Sequence, residues 1–135
     1  MPGADLQILT QLRACGLFWD EEPSYQSRRQ ELYGAAFQQL NELGKLYSCS
    51  CSRQTIANTL VAAGIHTPRN QEMVYPRTCR PSQPAPSDEL LDQTKKAWRI
   101  ALPENCEIEF EDLSLGMQSQ NLNQEVGDFV LRRND

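Results

Sequence analysis

At 135 residues the chain has the length of one ordinary domain with a real core. A hydrophobic share of 39% predicts a modest core with much polar loop. Eighteen acidic against 13 basic residues leave a net charge of -5, which excludes a dedicated basic nucleic-acid binder and confines any RNA contact to a local patch.

The first segment reads as a helix that Asp5 can cap, with Ile8, Leu9 and Leu12 on one face. Gly16 and Leu17 suit a Schellman-type stop. An aromatic and acidic connection, 18–23, follows, in which Trp19 is expected in the core and Pro23 discourages helix at Glu22. Residues 27–30 have the form of a capping box. Beyond them Tyr33, Ala36, Phe37 and Leu40 repeat with helical spacing up to Gly44. Residues 45–51 read as a short extended stretch leading to two thiols. Ser52 caps a third predicted helix with Ile56, Leu60 and Ala63 inward and Gly64 as its stop.

From residue 65 to 87 five prolines (68, 76, 81, 84 and 86) predict loop, since proline has no N–H for a helix interior or a central strand. Trp98, Ile100 and Leu102 then alternate, as do Ile108 and Phe110, which predicts strands flanking a turn at 103–105. Further strands are expected at 118–122 and 128–131. The acidic residues Glu107, Glu109, Glu111 and Asp112 read as a solvated strand face rather than a carboxylate metal site. Helices followed by strands imply an α+β arrangement.

Five cysteines are an odd number for a disulfide framework. No run reaches the roughly 20 apolar residues that span a membrane, and residues 1–5 show neither part of a signal peptide. Clustered thiols without an export signal point to the reducing cytoplasm. Cys49 and Cys51 with Cys79, at the end of the proline-rich loop, have the spacing of a zinc site; three unrelated buried thiols fit the same spacing. Cys15 and Cys106 have no neighbouring ligand type. Ligand frequency favours His66, the only histidine, as a fourth corner, while Tyr75 competes from within the same 75–79 turn as Cys79. A catalytic zinc would need an open position and a base, and no His-Glu motif is present.

Five segments in family order resemble the glutamyl-tRNA synthetase lineage of class I aminoacyl-tRNA synthetases. They are ILTQLRACGLFWDE (8–21), YQSRR (25–29), LYSCSCSR (46–53), YPRTCR (75–80) and GDFVLRRND (127–135). The pattern is most similar to the branch of glutamyl-queuosine tRNA(Asp) synthetases. Cys79 is followed by Arg80 and Pro81, where some true glutamyl-tRNA synthetases place a zinc-binding His, and the connection from Trp19 to Gln26 is short.

The resemblance implies an α+β piece of an α/β protein: part of a Rossmann-like catalytic domain with an inserted zinc-bearing subdomain. Residues 1–47 would be its helical part, 48–127 the acceptor-stem-type insertion and 128–135 the return strand. It implies one structural zinc held by Cys49, Cys51, Tyr75 and Cys79, with His66 displaced to the surface. It implies an ATP-dependent ligase, monomeric, that activates glutamate and transfers it to queuosine in tRNA(Asp). The family commonly has Gly where this chain has Arg77, so Arg77 is expected to carry strain if that position needs a positive φ. The His-rich ATP signature and the Lys-Met-Ser-Lys-Ser-like loop do not occur in the sequence. No catalytic residue is therefore assigned, and the piece is expected to be inactive alone. A true glutamyl-tRNA synthetase fragment and a non-enzymatic zinc-ribbon module are the rival readings.

Overall fold

The structure is a computed structural model, and it describes residues 3–68, 71–87 and 96–133. It divides into two compact units, Met1–Tyr33 and Gly34–Asp135.

The first unit opens with α1 (Ala4–Ala14). Asp5 does not cap it. Gly3 is the N-cap and makes no side-chain bond, while Asp5 sits in the first turn, where its charge complements the helix dipole. The predicted stop is present: Gly16 N–H donates to the Arg13 carbonyl and Leu17 N–H to that of Leu12. Leu9 and Leu12 are half-buried, Ile8 is exposed, and no α1 residue is buried. Trp19 is likewise half-buried rather than core; the Arg13 guanidinium lies 4.7 Å from its ring centroid. The capping box at 27–30 does not form. Gln26–Arg28 close a 3₁₀ turn, and α2 (Gln30–Glu42) begins after it.

In the second unit α2 ends at Gly44 with a second paired stop, Gly44 N–H to Asn41 and Lys45 N–H to Leu40. Of the predicted inward face, Phe37 and Leu40 are half-buried, whereas Tyr33 and Ala36 are exposed. Next come β1 (Leu46–Cys49) and α3 (Arg53–Ala62), capped as expected by the Ser52 side chain accepting from Thr55 N–H. Ile56 and Leu60 face inward; Ala63 does not. The described residues between 65 and 87 hold no helix or strand.

The strands β2 (Ala97–Ile100) and β3 (Glu107–Asp112) do flank the 103–105 turn, but they join different sheets. The antiparallel order β1-β2-β5 forms one sheet, with Tyr47 opposite Arg99 and β5 covering Val130–Arg132. The other is a hairpin of β3 with β4 (Gly116–Asn121), after which α4 (Leu122–Glu125) takes up Leu122. β5 starts two residues later than expected because Asp128 is committed to a buried network.

The core lies between β1, α3 and the 75–79 turn: Tyr47, Cys49, Ile56, Leu60, Tyr75 and Ala101, with Cys51 and Cys79 against it. Gly127 lets the turn approach. Its φ is +71°, and an added Cβ would meet Val74 Cγ1 at 2.9 Å and Tyr75 N at 3.0 Å.

Candidate metal centre

Two separate local structures carry the thiols. β1 delivers Cys49 into the core, and Cys51 follows two residues later in the irregular link just before the Ser52 cap of α3. Cys79 closes the turn that begins at Tyr75. In that turn Arg77 has φ 59°, the left-handed region that a non-glycine residue enters at a cost of roughly 1–2 kcal/mol. The expected strained position is therefore real, and the turn sends Cys79 back toward its own tyrosine.

The three Sγ atoms lie within 4.8 Å of one another. Cys51 and Cys79 sulfurs are 3.4 Å apart. The Tyr75 hydroxyl joins them, accepting from the Cys49 thiol at 3.3 Å and from Cys79 N–H at 2.9 Å, and standing 3.7 Å from Cys51 Sγ. With Zn–S bonds of about 2.3 Å, sulfurs at the corners of a tetrahedron stand about 3.8 Å apart. The one close sulfur pair is a few tenths of an ångström inside that edge and all three sulfurs lie within 4.8 Å, so the donor set has roughly the size, and the softness, of a zinc site. Cys49 and Tyr75 are buried, while Cys51 and Cys79 are half-buried.

His66 is exposed and lies outside this cluster, as do Cys15 and Cys106. Burial raises the Cys51 thiol, and its hydrogen bond with Cys79 adds to that, pushing it up to about 11. Burial also raises Cys79, but hydrogen bonds from Tyr75 and Cys51 outweigh it and bring that thiol down to about 7. Of these two thiols Cys79 is the readier to meet a cation as thiolate. The Tyr75 phenol is held well above its ordinary value, first by burial and then by hydrogen bonds with Cys49 and Cys79. A divalent cation, as the largest local charge, would invert that preference.

Sequence reading missed what surrounds the cluster. Asp128 is fully buried. Its carboxylate accepts from Tyr47 Oη at 2.8 Å, from Arg80 Nη1 at 3.0 and 3.1 Å, and from Leu102 N–H at 3.1 Å. Arg77 Nε stands 3.8 Å away. Arg80 also donates through Nη2 to the Leu102 carbonyl at 2.8 Å. Burial, the Asp128 hydrogen bond and the Asp128 charge all keep Tyr47 protonated as the donor. Arg99 donates to the Asp128 backbone carbonyl at 2.7 Å, and its guanidinium lies 3.7 Å from the Tyr75 ring centroid. Trp98 and Ile100 mark one face of β2 by alternation, and Arg99 stands between them. Trp98 and Arg99 are both buried, because this short strand is covered on two faces. The only available signals were Arg80 directly after a ligand-type cysteine and an acid directly after Gly127.

Residues 1–135 match the family described as tRNA synthetases class I (E and Q), catalytic domain, and the chain belongs to it. Among curated proteins it is similar to the glutamyl-Q tRNA(Asp) synthetase of Leptothrix cholodnii, 44% identical over 138 residues, covering 100% of this chain and 45% of the relative. It is also 44% identical over 134 residues to the protein of that name from Cupriavidus metallidurans, covering 98% of this chain and 40% of the relative. The chain thus spans less than half the length of these relatives. A solved glutamate-tRNA synthetase from Elizabethkingia anophelis shares the fold, with a TM-score of 0.65, 23% identity and coverage of 100% of this chain and 30% of the other. The resemblance carried by the five ordered segments is borne out. Among the described residues no helix is long and apolar enough to cross a membrane.

Proposed function

We propose that the chain is part of an ATP-dependent ligase that activates glutamate and transfers it to queuosine in tRNA(Asp), acting in the cytoplasm as a monomer. Its own contribution is a structural zinc site of Cys49, Cys51, Tyr75 and Cys79. The observation that carries the site is the convergence of three sulfurs and one phenol oxygen at tetrahedral spacing. When bound, zinc cross-links β1 to the 75–79 turn and takes no part in chemistry. In this reading residues 1–47 belong to the catalytic domain, 48–127 form the inserted subdomain that faces RNA, and 128–135 return to the catalytic domain. The names and identities of the curated relatives support the queuosine branch over a true glutamyl-tRNA synthetase.

Metal analysis of the purified chain tests the site. One zinc per chain is expected, lost in Cys49→Ser and Cys79→Ser, weakened in Tyr75→Phe and unchanged in His66→Ala. Loss in His66→Ala with full retention in Tyr75→Phe would move the fourth corner to the histidine. The transfer reaction is tested in a chimera in which this chain replaces the matching stretch of the Leptothrix cholodnii relative. Glutamate should pass to queuosine-bearing tRNA(Asp), and transfer to tRNA(Glu) alone would favour the rival synthetase.

A further inference from the structure

Arg99 has an environment that its hydrogen bonds alone do not explain. The residue is 8% exposed, and its Nε is buried without a hydrogen-bond partner. A buried guanidinium with an open donor is costly unless another group compensates its charge. The group that faces it is the Tyr75 ring, at 3.7 Å from the guanidinium carbon.

The surrounding charges do not balance either. Arg77 and Arg80 both address the one carboxylate of Asp128, and Arg99 reaches only its backbone carbonyl. Among the described residues no second acid lies within ion-pair distance of these three arginines. Among the described residues three guanidinium groups thus share one carboxylate; Arg77 and Arg80, with side chains 36% and 20% exposed, are partly screened by water, whereas Arg99 is buried. A divalent ion held by three thiolates and a phenolate carries two negative charges, whereas an imidazole in the fourth place would leave one.

We propose that Arg99 is a positioning residue and a buried counter-charge of the metal centre, with Arg77 and Arg80 adding to it from its partly exposed side. Arg99 fixes the face of the Tyr75 ring from its anchor on Asp128 and opposes the charge that the bound phenol oxygen carries. The inference rests on the Cys49, Cys51, Tyr75, Cys79 site proposed above. It goes beyond that site by assigning its affinity to a residue that touches no metal.

The test is a double-mutant cycle on the full chain, read as zinc affinity by competition with a chromogenic chelator. Arg99→Met should weaken zinc binding by about 10- to 100-fold, the range for outer-shell partners of metal ligands. Arg99→Lys, which keeps the charge, should recover most of that loss. In a Tyr75→Phe background, Arg99→Met should cost less than about threefold, because the group it serves is gone. A purely packing role predicts equal losses in both backgrounds and no rescue by lysine; either result overturns the proposal. If Arg99→Met does not fold, Arg99→Gln supplies the neutral member of the cycle. A parent chain that binds no zinc overturns the metal reading and this inference with it. A zinc-binding parent indifferent to Arg99→Met overturns this inference alone.

Discussion

The two sheets of the second unit differ in how they are held. The β1-β2-β5 sheet buries Leu46, Tyr47, Cys49, Trp98 and Arg99 and is tied to the 75–80 turn by the Cys49 and Arg99 side chains, both of which meet Tyr75. The β3-β4 hairpin buries none of its residues: Ile108, Phe110 and Met117 are exposed, as are Leu113 and Leu115 at its tip. Its order comes from the backbone ladder and from local bonds such as Ser119 to Glu107 at 2.6 Å. One sheet is specified by long-range chemistry and the other by register and turn. The two should therefore respond to different perturbations.

The largest separation is expected on removing zinc. Structural zinc in small sites contributes on the order of 10 kcal/mol of binding energy, and here it would cross-link β1 to the 75–79 turn. Chelation should speed amide exchange across 46–62 and 71–80 by at least about 100-fold. Residues 107–121 should exchange as before. Uniform acceleration would show that the hairpin depends on the centre, and unchanged exchange after complete chelation would remove zinc from the stability of the fold.

Asp128→Asn should come next. The substitution keeps the shape but leaves Arg80, whose side chain is 20% exposed, without its ionised partner, so the loss should fall at or below the low end of the about 3–5 kcal/mol seen when one member of a fully buried pair is removed. Urea denaturation should report that loss. The control is Glu109→Gln on the exposed hairpin, expected within about 0.5 kcal/mol of the parent. Equal effects at the two positions would erase the distinction between the sheets.

The same contrast explains what the sequence made legible. The stops at Gly16, Gly44 and Gly64, the Ser52 cap, β1 and the β3 run are local, set by neighbours within a few positions, and all are present. The thiol cluster was legible because three soft ligands are rare residues at suggestive spacing. Tyr75 was preferred to His66 only through family resemblance, since frequency cannot see which side chain a turn aims inward. The pairing of β2 with β1 and β5 rather than with β3 was not legible, because alternation marks a face but not its partner. Nor was Asp128, whose partners Tyr47, Arg80 and Leu102 come from distant parts of the chain.

The smallest effect is expected at the hairpin turn, where Asp112 holds the backbone N–H groups of the reversal and Gln118 Nε2 donates to the Leu115 and Met117 carbonyls at 3.2 and 3.1 Å. The Asp112 Oδ1 accepts from both Ser114 N–H and Leu115 N–H at 2.8 Å, an Asx-type arrangement. These two backbone donors, Leu115 first, pull the carboxyl below its usual value although the residue is on the surface. Because the folded pKa lies below the unfolded one, the contribution is complete above about pH 4 and fades as pH falls through the folded value. Carboxyl carbon shifts followed by NMR should show Asp112 titrating below an aspartate in an unstructured peptide. Asp112→Asn should remove the acid-side loss of turn order while leaving the amides of β1 and the 75–79 turn untouched. A change at those distant amides would mean that the hairpin turn and the metal turn are energetically coupled, the reverse of what their separate bonding implies.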